Sequence, residues 1–150
     1  VGLTTDAQDV DAFNILPDGS IVISTLGTAG LGVAGTSGDN QEDLLRCVGT
    51  FGPATTCSWT MYYDGLDVGF GGGTSAENTD GTSVSAGYIF ITTSGTFNNG
   101  LGFTGQGADV FACIAPTTGA NTACGGFGLY FDASANGITD NLDAIDVPAP

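Results

Sequence analysis

Along residues 58–64, Trp59, Met61 and Tyr63 alternate with Thr60, Tyr62 and Asp64. A period of two is the mark of a β-strand with one buried face. Phe127, Leu129 and Phe131 repeat the alternation within 126–132. Ile21-Val22-Ile23-Ser24-Thr25 and Tyr88-Ile89-Phe90-Ile91-Thr92-Thr93 are nearly continuous in β-branched and aromatic residues, which also favours strands. Pro17-Asp18-Gly19 is a turn signal of the hairpin kind. The pattern predicts strands at 10–16, 21–26, 43–48 and 58–64, then at 79–85, 88–93, 109–114 and 126–132, with a ninth at 142–147. Residues 27–40 are too Gly-dense and polar for a core and read as a loop. Helical periodicity never exceeds one turn: 41–46 allows a turn of helix, but 109–113 at the same place reads as strand. The chain is therefore all-β.

The strands come in two copies. Asp11-Ala12-Phe13 and Ile21-Val22-Ile23-Ser24-Thr25 return about 68 residues later as Asp80-Gly81 and Tyr88-Ile89-Phe90-Ile91-Thr92-Thr93. Cys47 returns as Cys113, Cys57 as Cys124, and Trp59-Thr60-Met61-Tyr62-Tyr63-Asp64 as Phe127-Gly128-Leu129-Tyr130-Phe131-Asp132. Residues 1–150 thus read as one domain of two four-stranded antiparallel repeats, about 1–68 and 69–136, with a partial third repeat at 137–150. Two such units are expected to pack as a β-sandwich; propeller-blade-like units are the alternative, although two blades cannot close a ring. The ninth strand (Asn141, Leu142, Asp143, Ala144, Ile145, Asp146, Val147) opens a third copy with nothing after it to pack on. An orphan strand is costly, so it is expected to complete a sheet, in a neighbouring subunit rather than in its own, with closure onto the N-terminal sheet as the competing outcome.

The series Asp11-Ala12-Phe13, Leu16-Pro17-Asp18-Gly19-Ser20, Ile23-Ser24-Thr25, Glu42-Asp43-Leu44-Leu45-Arg46 and Tyr62-Tyr63-Asp64-Gly65-Leu66-Asp67-Val68-Gly69 resembles a tandem repeat of bacterial secreted and surface proteins. The likeness spans nearly the whole chain and is weaker in the second repeat, where Ser85-Ala86-Gly87 stands in place of the Pro-Asp-Gly turn. Val147-Pro148-Ala149-Pro150 resembles the stub before a sorting signal of the exosortase (PEP-CTERM) type. The resemblance implies export and a surface or matrix role, and no particular activity.

Composition narrows the chemistry. The 150 residues include 26 Gly, one Arg, no Lys and no His, with a formal charge of −15. Without His or Lys there is no Ser-His-Asp or Cys-His pair, no imidazole ligand, no Schiff base and no phosphate-loop lysine. The acidic balance repels nucleic acid and anionic membrane surfaces. The chain opens on Val1, with no apolar run of transmembrane length, and reads as a processed, exported protein located outside the cell or on its surface after signal-peptide removal. Two equivalent cysteine pairs, Cys47/Cys57 and Cys113/Cys124, lack the short knuckle spacing of zinc sites and read as two local disulfides.

Sixteen acidic residues cluster at repeat-equivalent places. One reading is calcium, with Asp9, Asp11, Asp64, Asp67, Asp80, Asp132 and Asp143 as candidate ligands where the end of one repeat meets the start of the next. The other is an acidic surface that keeps a β-rich protein dispersed. Trp59, Tyr62 and Tyr63 are a candidate sugar-stacking platform, but their apolar repeat equivalents favour core packing. No pair of carboxylates stands out as catalytic, so no enzyme is expected. The function expected is a structural extracellular protein, binding copies of itself in a filament or matrix; a secreted adhesin module binding glycans is the alternative.

Overall fold

The computed structural model describes residues 2–33, 40–71 and 75–148. Among these, the chain forms ten strands and four 3-10 turns of three residues each, with no α-helix. The fold is all-β, as the hydrophobic pattern predicts. Strands β1 (Val10–Ile15), β2 (Ile21–Thr25), β3 (Leu44–Thr50) and β4 (Thr56–Tyr63) make one antiparallel sheet in the order β1-β2-β3-β4. Strands β5 (Thr79–Ser85), β6 (Tyr88–Thr93), β9 (Val110–Ile114) and β10 (Gly126–Phe131) make the second, in the order β10-β9-β6-β5. Between β6 and β9 lies a short ribbon, β7 (Phe97–Asn98) with β8 (Thr104–Gly105), which the Gly-rich sequence did not announce. Residues 34–39 of the first Gly-rich loop, and Ala149 and Pro150 of the sorting-signal resemblance, lie outside the described residues.

The ninth predicted strand is not a strand. Residues 142–147 run as coil over the outer face of the second sheet of their own chain, where Leu142, Ile145 and Val147 pack on Phe90, Val110 and Ala112. They do not join the N-terminal sheet. The alternation of the sequence is real, but a strand also needs a neighbour to complete its ladder. Among the described residues this segment makes one backbone–backbone bond, from Leu142 N to the carbonyl of Gly107.

The two sheets pack face to face as a sandwich, but in series rather than back to back. The registers are equivalent: Ile21 faces Cys47 and Ile23 faces Leu45 in the first repeat, as Ile89 faces Cys113 and Ile91 faces Phe111 in the second. Yet Ile23 and Leu45 turn outward, covered by Leu3, Leu31 and Val33, while Ile91 and Phe111 turn into the inter-sheet core against Val22 and Leu44. One face of every repeat therefore meets the opposite face of its neighbour. Aromatic rings fill much of the inter-sheet core, where the contacting pairs among Phe70, Phe97, Phe103, Phe111 and Phe127 have centroids 4.4–6.2 Å apart. Each such ring buried stabilises by roughly 1.5–3 kcal/mol.

Both predicted disulfides are present, Cys47–Cys57 and Cys113–Cys124, with Cα atoms 5.2 and 5.3 Å apart. Each staples the third strand of its repeat to the chain that returns from the following turn. In the first hairpin the strands come so close that a Cβ on Gly49 would stand 1.9 Å from the Thr56 carbonyl oxygen, so only glycine fits there. The loop closed by the second disulfide reaches across to the first repeat, where Gly119 N bonds the carbonyl of Tyr62 at 2.9 Å. Replacing Cys113 and Cys124 together by Ala is expected to lower stability by about 2–3 kcal/mol, the loop-closure term for a ring of this size. The midpoint of urea unfolding under oxidising conditions measures it.

Candidate functional site

The junction between repeats is built from four residues that open the second copy. Asn78 Nδ2 donates to the Asp11 carboxylate at 2.6 Å. Thr79 N donates to the carbonyl of Gln41 at 3.0 Å, and the Ser24 hydroxyl donates to the carbonyl of Thr79 at 2.6 Å. At Gly81 the layers close up: a Cβ there would lie 2.6 Å from Thr92 Oγ1 and 3.4 Å from the Cα of Ala144. Gly81 and Thr92 are register partners in the second sheet, and only a residue without a side chain leaves room for the Thr92 hydroxyl and the overlying Ala144 backbone together.

The same junction is made a second time, by the opening of the third copy. Asn141 Nδ2 donates to the Asp80 carboxylate at 2.6 Å. Leu142 N donates to Gly107 at 3.4 Å, and Thr92 Oγ1 donates to the carbonyl of Leu142 at 2.7 Å. Gln41 and Gly107, Ser24 and Thr92, Asp11 and Asp80 hold the same places in their repeats. The turn leading into each junction is repeated as well, with Phe70 N bonded to Gly65 at 2.9 Å and Ile138 N to Ala133 at 3.0 Å. Residues 141–144 thus dock on the second repeat as 78–81 dock on the first.

What differs is the rest of the interface. Tyr63, at the end of β4, is 1% exposed, whereas its equivalent Phe131 is 39% exposed. Phe70 is buried and its equivalent Ile138 is exposed; Leu129 and Tyr130 are exposed too. Tyr63 is covered by the second disulfide loop, which also bonds Asp64 N through Thr122 Oγ1 at 2.8 Å and offers Thr122 N to Asp67 at 2.8 Å. Phe131 has no such cover. The result is an apolar groove of about 430 Å³ on the outer face of the second sheet, lined by Tyr88, Phe90, Ala112, Tyr130 and Val147 among others.

The carboxylates proposed as calcium ligands fall into separate places. Asp11, Asp80 and Asp143 line one open cleft of about 630 Å³ together with Asn78 and Asn141. Asp64, Asp67 and Asp132 lie elsewhere. They bind backbone amides and hydroxyls: Asp64 Oδ1 accepts from Leu66 N, Asp67 Oδ2 from Thr122 N, and Asp132 Oδ1 from Ala135 N. Asp9 closes the first 3-10 turn, and its carbonyl accepts from Leu26 N. The expected convergence of Asp64 and Asp67 with the next repeat's opening Asp does not occur, because β5, which carries Asp80, packs over β1, and β1 and β4 are opposite edges of the first sheet. Among the described residues no three acidic, cysteine or histidine side chains come together to hold a metal ion. The aromatic platform is also dispersed: Trp59 packs with Ile23 and Met61 on one face of the sheet, and Tyr62 and Tyr63 with the inter-sheet core on the other.

Sequence reading overlooked the most buried acids. Asp43 accepts from Asn40 N at 2.8 Å and Gly65 N at 2.9 Å; its equivalent Asp109 accepts from Gln106 N at 2.9 Å and Ser134 N at 3.2 Å. Each ties the start of a third strand to the turn after the fourth. Glu77 does similar work, taking Gly71 N and Asn98 N. The clue in sequence was the recurrence of Asp43 as Asp109, a fixed distance before Cys47 and Cys113. Burial pushes the Asp43 carboxyl up from 3.8 to about 7, against the pull of its two amide donors, with Glu42 and Asp64 adding repulsion. Burial also raises Glu42, Asp64 and Asp80. Arg46 serves elsewhere, pairing with Asp18 and donating to Ser20 Oγ to hold the Pro-Asp-Gly turn.

No family model, curated protein or solved structure matches this chain.

The raised carboxyls set a pH dependence of unusual sign. Between 3.8 and about 7 the folded chain holds the Asp43 proton and the unfolded chain has lost it. Stability therefore falls as pH rises through that window. The thermal midpoint is expected to be several degrees higher at pH 5 than at pH 8, and Asp43→Asn is expected to shrink the difference. Circular dichroism melts at the two pH values decide it.

Proposed function

We propose that this protein is a structural extracellular subunit that assembles with copies of itself into a filament or surface layer. The observation that carries the reading is the repeated junction. The chain stacks one repeat on the next through a fixed set of bonds, begins that contact once more at 141–144, and leaves the apolar remainder of the contact uncovered. A stack whose unit presents one face to the opposite face of its neighbour has no internal reason to stop, and such head-to-tail contacts propagate unless they close a ring. Two disulfides suit an oxidising setting, and no helix among the described residues is long and apolar enough to cross a membrane. The strongly acidic chain stays dispersed until contact is made, and its self-repulsion is relieved by salt.

Purified protein is expected to form polymers visible by negative-stain microscopy, with particle mass in light scattering rising with protein and salt concentration. Monomers at every concentration, together with capture on a glycan surface, would favour an adhesin instead.

A further inference from the structure

The open half of the junction has a matching surface at the other end of the chain. Val10, Phe13 and Ile15 project from β1 and are 48%, 52% and 63% exposed, unusually high for large apolar residues of one strand. Aligned on the Asp-Ala step, 10–15 reads Val-Asp-Ala-Phe-Asn-Ile and 142–147 reads Leu-Asp-Ala-Ile-Asp-Val. Val10, Phe13 and Ile15 therefore hold the positions of Leu142, Ile145 and Val147, which pack on Phe90, Val110 and Ala112. In β5 the same positions are Thr79, Thr82 and Val84, packed toward the first repeat, with both threonines buried. An opening segment is thus seated on a preceding repeat twice within this chain, as the strand β5 and as the coil 141–147. In β1 it is exposed.

We propose that β1 of a second copy takes the seat over Phe90, Val110 and Ala112 that 141–147 fills in the free chain, so that this segment is a built-in competitor of head-to-tail assembly. The proposal rests on the self-assembly reading above and names the surfaces that would meet. Both strands cannot use one seat. The resident segment makes a single backbone–backbone bond among the described residues and leaves Leu129 and Tyr130 exposed. An incoming β1 is already laddered to β2 and brings a whole sheet, with Ile21, Trp59 and Leu31 half-buried on its face, to cover them. The interface formed repeats the apolar seat of the opening segment but not the whole junction: Asp9 stands where Asn78 and Asn141 stand, so the Asn–Asp bond is absent and Asp80 meets a carboxylate, and Ile23 and Leu45 keep their cover of Leu3, Leu31 and Val33. Displacement of 141–147 is the step that sets the concentration at which chains join.

The test uses the full chain and four variants. Asn141→Asp places a carboxylate against Asp80 and loosens the segment while leaving its apolar cover in the chain; deletion of 141–150 removes it. Both are expected to assemble at concentrations at least tenfold below wild type, and the first keeps the test valid if the deletion variant fails to fold. Phe13→Asp/Ile15→Asp and Leu129→Asp/Tyr130→Asp alter opposite ends at exposed positions. Each alone is expected to remain monomeric, and an equimolar mixture to stop at dimers in light scattering. Polymers that form equally well from every variant would leave the assembly reading standing and overturn this interface. Slower assembly of the loosened variants would make 141–147 a donated strand, and would equally overturn it. Absence of polymers from wild type and loosened variants alike would sink both readings.

Discussion

The structure depends on a close approach of backbone layers at one edge of the sandwich. Where β1, β5 and the segment 141–147 pass over one another, the residues are Ala12, Gly81 and Ala144, and the groups beside them are the hydroxyls of Ser24 and Thr92. A larger side chain at Gly81 would strike Thr92 Oγ1. Close approach lets a hydroxyl on one layer satisfy a carbonyl on the next, which a buried peptide group needs in the absence of a ladder partner. It also fixes the stacking order, because Asn78 and Asn141, ahead of the second and third opening segments, find Asp11 and Asp80 only when the layers are seated in that order.

The acidic residues take their meaning from the same arrangement. With no Lys and one Arg, which pairs with Asp18, the buried carboxylates find amide donors instead, Asp43 from the backbone and Asp80 from the Asn141 side chain. Asp43, Asp109 and Glu77 act as internal caps for turns that follow or precede strands. Burial of Asp43 costs stability when it is ionised, and its raised carboxyl is the direct consequence. The exposed remainder gives the chain its repulsive surface. Attraction between repeats is then left to apolar faces and a short ladder of Asn–Asp and hydroxyl–carbonyl bonds, which are short-ranged and register-specific. Such a division suits a unit that must ignore most neighbours and join one kind only.

Eight of the predicted strands, the two disulfides and the internal repeat were legible in the residues, because each rests on local chemistry: alternation along 58–64, turn residues at Pro17-Asp18-Gly19, and cysteines at matched places. The junction was legible only in part. Asp11, Asp80 and Asn141 stood out, but as acidic clusters and strand residues; Ser24, Thr92, Gln41 and Gly107 carried no signal, since a hydroxyl or a main-chain carbonyl becomes a partner only once another layer arrives. The ninth strand failed for a related reason. Residues 142–147 have strand periodicity, but a ladder requires a neighbour that no pattern within the segment can supply.

By itself the sequence determined that this is an all-β, twice-repeated, disulfide-stapled and strongly acidic chain, since side-chain period, cysteine spacing and charge are properties of residues in order. Tertiary structure alone decided that the repeats stack in series, that the start of the third copy sits on the second sheet of its own chain, and that Leu129 and Tyr130 beside it stay exposed. Those outcomes depend on which apolar face meets which. The first repeat turns Ile23 and Leu45 outward while the second turns the equivalent Ile91 and Phe111 inward, a choice made by distant surfaces packing together and by no local preference.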